Sequence, residues 1–149
     1  MTVNIRPAVP DDLPQVHEMI GLLARHHGDE VLISIQDLHR HIFDQVIGHI
    51  LVAAEEDGLV GYALILAWPN LATGRARFEI DHLFVMEWRR RAGIGRALIA
   101  AARVAALARG AEVLRIGTHP KNLGAQTAYR QMGLAELPMP GPRFRVELA

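Results

Sequence analysis

The sequence contains no cysteine, so disulfide bonds, thiolate metal sites and a cysteine acyl-enzyme are all excluded. It also lacks a surplus of either charge, because 16 Lys and Arg balance 16 Asp and Glu. General attraction to nucleic acids or to acidic membrane surfaces is therefore not expected. No apolar run approaches the ~20 residues that cross a bilayer, and the first residues carry Arg6, Asp11 and Asp12 rather than an apolar signal segment. We expect a cytoplasmic protein with no nucleic-acid and no membrane partner.

The length and composition are typical of one soluble globular domain. The chain has 149 residues, of which 50% are hydrophobic and 21% are charged, which is enough to bury a substantial core. Two domains would need a linker, and the sequence contains no stretch of linker composition. We therefore predict a single domain over residues 1–149.

Hydrophobic periodicity and turn residues predict the order strand, two helices, hairpin, strand, helix, strand, helix, strand. This order indicates a mixed α/β (α+β) class, antiparallel in its first half and built from strand–helix crossovers in its second. The predicted strands are 3–5, the hairpin strands 49–54 and 59–67, and then 78–85, 113–117 and 144–148. The first predicted helix is capped by Asp11 or Asp12 and fades at 26–28, and the second starts at Ser34 and ends at Gly48. The last two helices are 94–109, with Leu98, Ala102 and Ala105 on one face, and 122–132.

A basic, glycine-punctuated turn joins the strand 78–85 to the following helix. The N-terminus of a helix leaves backbone N–H groups without partners and carries a partial positive charge. Gly93 and Gly95 have no Cβ, so an anion can approach this backbone closely. Three interpretations remain open: an ordinary turn with solubilising arginines, a dinucleotide fingerprint in which Leu98 replaces the third glycine, and a site for the pyrophosphate of a pantetheine cofactor.

A second pattern places Asn122, Ala125 and Tyr129 along one side of the last predicted helix. Its structural interpretation is that Asn122 caps the helix, Ala125 packs, Tyr129 fills space and Gly133 ends the helix. Its functional interpretation is a ligand-facing side.

Both patterns resemble motifs of one enzyme superfamily. Arg90-x-x-Gly93-x-Gly95, after a strand that ends in Leu-Phe-Val, resembles the acyl-CoA loop of the GNAT N-acetyltransferases. The segment from Asn122 to Gly133 resembles a later motif of the same superfamily, with Leu134 where phenylalanine is usual. The stretch 80–86 looks like the Leu-Glu-Asp-x-x-Val-Met segment of the diamine and polyamine acetyltransferase branch. The chain is identified as a member of the superfamily from these motifs.

The resemblance implies the GNAT fold, in which a central mixed, mostly antiparallel sheet is flanked by helices and splayed between its fourth and fifth strands. Pantetheine would lie in that gap, with Val85 pairing through its backbone and Asn122 beside it. Tyr129 would reach the thioester sulfur and protonate the departing thiolate. The implied acetyl-CoA site comprises Leu83, Phe84, Val85, Arg90, Arg91, Ala92, Gly93, Ile94, Gly95, Arg96, Asn122, Ala125 and Tyr129.

An amine attacks a thioester only when it is unprotonated, and a primary alkyl amine has a pKa near ~10. A carboxylate near the acceptor can take that proton. Glu79 and Asp81 are the candidates, because residues two apart on a strand share a face, whereas His82 is expected to face the other way. A general alignment with the superfamily favours Glu79, whereas Asp81 stands where the polyamine branch has its catalytic glutamate. We prefer Asp81.

The sequence thus predicts direct transfer of an acetyl group from acetyl-CoA to a primary amine of a small molecule, in a ternary complex. The alternatives are a non-catalytic acyl-CoA-binding or regulatory module on the same fold, and a protein or peptide N-acetyltransferase. The histidines are scattered and no metal site is expected, although His26 and His27 either line the acceptor pocket or face solvent. A homodimer is common in the family, and the identity of the amine is not encoded in these motifs.

Overall fold

The computed structural model describes residues 2–148. The chain divides into two compact units, residues 1–117 and residues 118–149. The first unit contains β1 (Asn4–Pro7), a 3-10 turn (Pro10–Asp12), α1 (Leu13–His26), α2 (Ile35–His39), a π-helical turn (Arg40–Asp44), β2 (Gly48–Glu55), β3 (Gly58–Ala67), β4 (Ala76–Val85), a second 3-10 turn (Glu87–Arg89), α3 (Ile94–Ala108) and β5 (Ala111–Ile116). The second unit contains α4 (Leu123–Gln131).

The first unit is built on a five-stranded sheet in the order β1-β2-β3-β4-β5. The first four strands pair antiparallel, and β5 runs parallel to β4. The pairing of β4 with β5 ends at Ile80 and Ile116, while β4 continues to Val85. The predicted mixed, mostly antiparallel sheet with a splay between its fourth and fifth strands is confirmed.

The helices α1 and α3 cover opposite faces of this sheet. Tyr62 of β3 is fully buried in a cluster with the apolar side of α1. A Cβ on the neighbouring Gly61 would lie 3.4 Å from Leu98 of α3. Adjacent strand residues point to opposite faces, so each helix has its own half of the core. On α3 the buried side continues from Leu98 and Ala102 to Ala106, whereas Ala105 is only partly buried.

The second helix is shorter than predicted. Ser34 caps it as expected, since its Oγ accepts the Asp37 N–H at 3.0 Å. The helix then widens into the π-helical turn, and Val46 takes a φ of 51°, which no helix continues. Gly48 does not stop the helix but begins β2, where a Cβ would lie 2.7 Å from the Leu66 side chain. The requirement for glycine here comes from strand packing.

The predicted last strand, residues 144–148, is wrong. These residues have no regular secondary structure, and Phe144, Val146 and Leu148 are 93%, 77% and 92% exposed. Alternating side chains favour a strand only where a neighbouring strand accepts the backbone hydrogen bonds. Within residues 2–148, no helix is both long enough and apolar enough to span a bilayer.

Candidate active site

The turn before α3 has the backbone geometry of an anion site. Gly93 is the N-cap at φ 81°, and Arg91 is also left-handed at φ 63°. The first helical hydrogen bond runs from Ala97 N–H to the Gly93 carbonyl at 3.0 Å, so the N–H groups of residues 94–96 point out of the helix end. A Cβ at Gly93 would meet no atom of the described chain within 4 Å, so the space before the turn is open. These features fit a phosphate or pyrophosphate group.

The arginines of this turn have different partners. Arg89 donates from Nε and Nη2 to Glu55, whose side chain is only 3% exposed, and so ties the turn to the end of β2. Arg90 donates from Nε to the Val85 carbonyl at 3.0 Å. That carbonyl is part of the backbone that the resemblance assigns to pantetheine. Arg91 and Arg96 are exposed beside the turn and are the arginines best placed to meet an anion from solvent.

Several predicted site residues use their side chains for the core. Phe84 is 6% exposed, with its ring centroid 6.3 Å from that of Tyr62, and Ile94 is 4% exposed. Leu83 and Val85 are partly buried and pair with Ala63 and Gly61 of β3. Ala92 is exposed, and Gly95 is partly buried. For Phe84 and Ile94, a contribution to a ligand site is therefore limited to the backbone.

A β-bulge interrupts β4 at Asp81, one of the two candidate bases. Leu64 pairs with His82, but the next residue, Ile65, pairs with Ile80, so Asp81 is the extra residue. A bulge breaks strict alternation of side chains. The expectation that His82 faces away from Asp81 is therefore wrong: both line one pocket. Glu79 and Asp81 are not brought together in that pocket.

Glu79 belongs to a separate cluster built around Trp68. The Oε2 atom of Glu79 accepts a hydrogen bond from Nη2 of Arg115, at a distance of 3.2 Å. The guanidinium carbons of Arg115 and Arg77 lie 3.6 and 3.7 Å from the centroid of the Trp68 ring. Two guanidinium groups this close cannot share one face of the ring, so they sandwich it and gain cation–π attraction on both sides. Sequence reasoning missed this cluster, because its members lie on separate elements.

The pocket that Asp81 lines has a volume of about 250 Å³. Its apolar wall comes from α1, and its polar groups are two carboxylates and two imidazoles. Asp81 is 49% exposed and lies with Oδ2 3.5 Å from Nε2 of His82. The lining consists of Ile20, Leu23, Ala24, His27, Asp29, Asp81 and His82. Residues 2–148 contain no group of three or more side chains suited to holding a metal ion.

A buried tyrosine extends this polar group into the core. The Tyr62 hydroxyl lies 3.1 Å from Nδ1 of His82. Burial raises the pKa of Tyr62 well above its usual value, with a smaller contribution from the Asp81 charge. Burial lowers the pKa of His82, although the Asp81 charge opposes this shift. Both side chains are therefore neutral at pH 7.

In the second unit, Asn122 caps α4, since its Oδ1 accepts the Ala125 N–H at 3.1 Å. Gly133 follows the helix at φ 82°. Tyr129 is partly buried, and burial raises the pKa of its hydroxyl, so it keeps its proton at neutral pH. The structural interpretation of Asn122 is confirmed. The approach of Asn122, Ala125 and Tyr129 to an acyl-CoA stays a prediction.

Comparison with known proteins identifies the family of the chain. Residues 16–134 match the model of the acetyltransferase (GNAT) family. No curated protein matches the sequence significantly.

Solved structures of the same fold cover almost the whole chain. An aminoglycoside acetyltransferase from an uncultured soil metagenomic sample has a TM-score of 0.81 at 19% identity, over 100% of this chain and 100% of its own. A ribosomal-protein-alanine N-acetyltransferase from Brucella melitensis biovar Abortus 2308 has a TM-score of 0.79 at 20% identity, over 98% of this chain and 100% of its own. A transcriptional regulator from Bacillus halodurans C-125 has a TM-score of 0.82 at 24% identity, over 97% of this chain and 100% of its own.

At these identities the solved structures establish the fold, whereas the family model covers most of the sequence itself. The matched range includes the glycine turn before α3, the bulged end of β4 and the motif of α4. The chain therefore belongs to the GNAT acetyltransferase family and is an acyl-CoA-dependent N-acetyltransferase.

Proposed function

We propose that the protein transfers an acetyl group from acetyl-CoA to a primary amine of a small cationic molecule, by direct attack in a ternary complex. The observation that carries this proposal is the pocket on the α1 side of β4. Its lining includes the carboxylates of Asp29 and Asp81 and no lysine or arginine. Such a lining attracts an ammonium group and disfavours an acceptor that bears a carboxylate. A volume of about 250 Å³ suits a compact acceptor.

The turn before α3 is the proposed holder of the acyl-CoA pyrophosphate. The helix N-terminus and the left-handed residues Arg91 and Gly93 direct backbone N–H groups to the open space in front of the turn. Arg91 and Arg96 add positive charge nearby. The bound acyl-CoA supplies a thioester whose acetyl carbon an unprotonated amine can attack.

Asp81 is the proposed base. An acceptor ammonium with a pKa near ~10 must lose a proton before its nitrogen can attack. Asp81 lines the pocket, and its Oδ2 lies 3.5 Å from Nε2 of the neutral His82 ring. Glu79 is the weaker candidate, because its carboxylate is held by Arg115 in the Trp68 cluster.

Tyr129 is the proposed acid that protonates the departing thiolate. Burial raises the pKa of its hydroxyl, so the proton is present at neutral pH and is available for transfer. This assignment rests on the resemblance of the α4 motif together with the half-buried hydroxyl.

The test is an acceptor panel with purified protein and acetyl-CoA, read by thiol release and by the mass of the product. The panel contains alkyl diamines, polyamines, aminoglycosides, amino acids and a peptide with N-terminal alanine. We expect the highest kcat/KM for small amines without a carboxylate. A preference for the peptide would make the protein a peptide N-acetyltransferase. If the protein binds acetyl-CoA but transfers the acetyl group to no acceptor, it is a non-catalytic acyl-CoA-binding module. The cytoplasmic location and the homodimer stay predictions, checked by cell fractionation and light scattering.

A further inference from the structure

We propose that His82 is a positioning residue that bridges Tyr62 and Asp81 and holds the Asp81 carboxylate toward the acceptor pocket. The inference deepens the proposed function and rests on it, because it concerns the residue that takes the acceptor's proton. It assigns a role to two side chains, Tyr62 and His82, to which no motif of the sequence gives one.

The bulge in β4 creates the arrangement. In a regular strand, Asp81 and His82 would point to opposite faces of the sheet. Because Asp81 is the extra residue of the bulge, both side chains line the same pocket, and Asp81 Oδ2 lies 3.5 Å from His82 Nε2. On the far side of the ring, Nδ1 lies 3.1 Å from the hydroxyl of the fully buried Tyr62. The three groups form a chain from the core to the pocket.

Electrostatics selects one tautomer of the neutral ring. With the proton on Nε2, the ring donates toward the Asp81 carboxylate, and Nδ1 accepts the Tyr62 O–H. The other tautomer would turn a lone pair toward the carboxylate, which is unfavourable. Burial raises the pKa of Tyr62, so at neutral pH its hydroxyl keeps the proton that it donates. The ring is therefore held at Nδ1 by the hydrogen bond to Tyr62 and drawn at Nε2 toward the Asp81 carboxylate 3.5 Å away.

For the role of His82 beside Asp81, it matters as much that the ring is uncharged as where it lies. A cation beside Asp81 would pair with its carboxylate, as Arg115 pairs with Glu79. It would stabilise the ionised carboxylate of Asp81, make it a weaker base and repel the incoming ammonium. Protonation of His82 would create such a cation. The charged and titratable groups around the ring are Asp81 on β4, Tyr62 on β3, and His27 and Asp29 at and after the end of α1.

The proton balance of the step is simple. The acceptor ammonium gives one proton to the Asp81 carboxylate, and the freed nitrogen lone pair forms the new C–N bond as the C–S bond breaks. The departing CoA thiolate takes a proton from its acid, for which Tyr129 is proposed, and the second proton that the nitrogen loses on becoming an amide restores that acid through solvent. Asp81 then loses its proton to water. His82 stays in one protonation state throughout, so it acts on the reaction through Asp81 and not as a base itself.

The first test needs no activity. The His82 ring is followed by NMR in the full-length protein, with its tautomer and pKa read from nitrogen and carbon shifts. We expect the Nε2–H tautomer and a pKa below the usual value. Asp81→Asn removes the charge that favours the protonated ring, so it should lower the pKa further. Tyr62→Phe removes the donor that favours the neutral ring, so it should raise the pKa.

The second test is the pH profile of kcat/KM for the best amine of the acceptor panel. For the unaltered protein, the logarithm of kcat/KM should be nearly level between the His82 pKa and the amine pKa, because Asp81 takes the proton of the amine within the complex. Below the His82 pKa it should fall with a slope of about one, because His82 must be neutral. His82→Gln keeps an N–H donor for Asp81 but cannot titrate, so it should keep most of the rate and lose the break. His82→Leu removes the donor, and its rate should fall by roughly 10–100-fold at every pH.

The controls separate the possible failures. His27→Gln should retain the break, and loss of the break in that variant would assign the titration to His27 and overturn the proposal. A His82 pKa that does not respond to Asp81→Asn, or a break that persists in His82→Gln, would also overturn it. No transfer to any amine by the unaltered protein would instead refute the proposed function, and the NMR result would still decide whether the chain of hydrogen bonds exists.

Discussion

Replacing Gly93 with alanine separates the role of this glycine in the fold from its role in the pyrophosphate site. Gly93 lies at φ 81°, and a Cβ built there meets nothing within 4 Å in the described chain. The methyl group of Gly93→Ala therefore clashes with no part of the protein. Its cost is that of a left-handed L-residue, roughly 1–2 kcal/mol. In a chain of this length that corresponds to a fall in Tm of roughly 2–8 °C.

Gly110 provides the matched control at the other end of α3. It lies at φ 74°, and a Cβ there also meets nothing within 4 Å. Gly110→Ala should therefore lose the same stability as Gly93→Ala. The two variants differ only in that the Gly93 methyl group enters the space proposed for the pyrophosphate. Losing a hydrogen bond to a charged group costs roughly 1.5–3 kcal/mol, or about 10–100-fold in affinity.

The assay is calorimetric titration with CoA at a temperature where both variants are folded, with Tm measured by circular dichroism. We expect Gly93→Ala to bind CoA roughly 10–100-fold more weakly and Gly110→Ala to bind it as the unaltered protein does. The reasoning fails if Gly93→Ala keeps its affinity, or if Gly110→Ala loses as much.

Three further predictions concern other parts of the chain. Tyr129→Phe should keep CoA affinity and lower the maximal rate by roughly 10–10³-fold, and an unchanged rate where chemistry limits turnover would leave Tyr129 a packing residue. Arg6 holds the pKa of Asp12 below its usual value, with smaller help from the Val9 N–H. Asp12→Asn should therefore be about 1–3 kcal/mol less stable in urea unfolding at pH 7. The difference should begin to shrink as pH falls below about 4, the usual pKa of an unfolded Asp, and should vanish only below the lowered pKa of the folded state; a constant difference would contradict this. We also expect residues 1–149 to unfold as one domain in a single calorimetric transition, which two separate transitions would refute.

The sequence predicted those features of the fold that are determined by residues close together in the chain. Ser34 and Asn122 cap helices through side-chain oxygens that reach N–H groups three residues on, a geometry that neighbouring residues alone determine. The turn at Gly93 was likewise predictable, because the strand, the glycine and the apolar helix are consecutive in the chain. The mixed sheet followed from the order of these elements.

Features that depend on distant partners were not predictable in this way. The bulge at Asp81 depends on how β4 pairs with β3, and period-two alternation therefore misassigned the face of His82. The Arg77–Trp68–Arg115 sandwich joins residues from separate elements, so nothing local indicated that Glu79 is held by Arg115. Residues 144–148 alternate as a strand does but have no strand beside them in the described structure.

The identity of the base is the central claim, and a comparison of Asp81→Asn with Glu79→Gln tests it most directly. Both changes remove one carboxylate charge from β4 and keep the size of the side chain. With the best amine of the panel, kcat/KM should fall by roughly 10²–10⁴-fold for Asp81→Asn and by less than about tenfold for Glu79→Gln, whose carboxylate is already held by Arg115. The Asp81→Asn deficit should shrink as pH rises toward the amine pKa, because free amine accumulates without a base. The reverse ranking would move the role to Glu79, and equal, negligible losses would mean that neither carboxylate takes the proton.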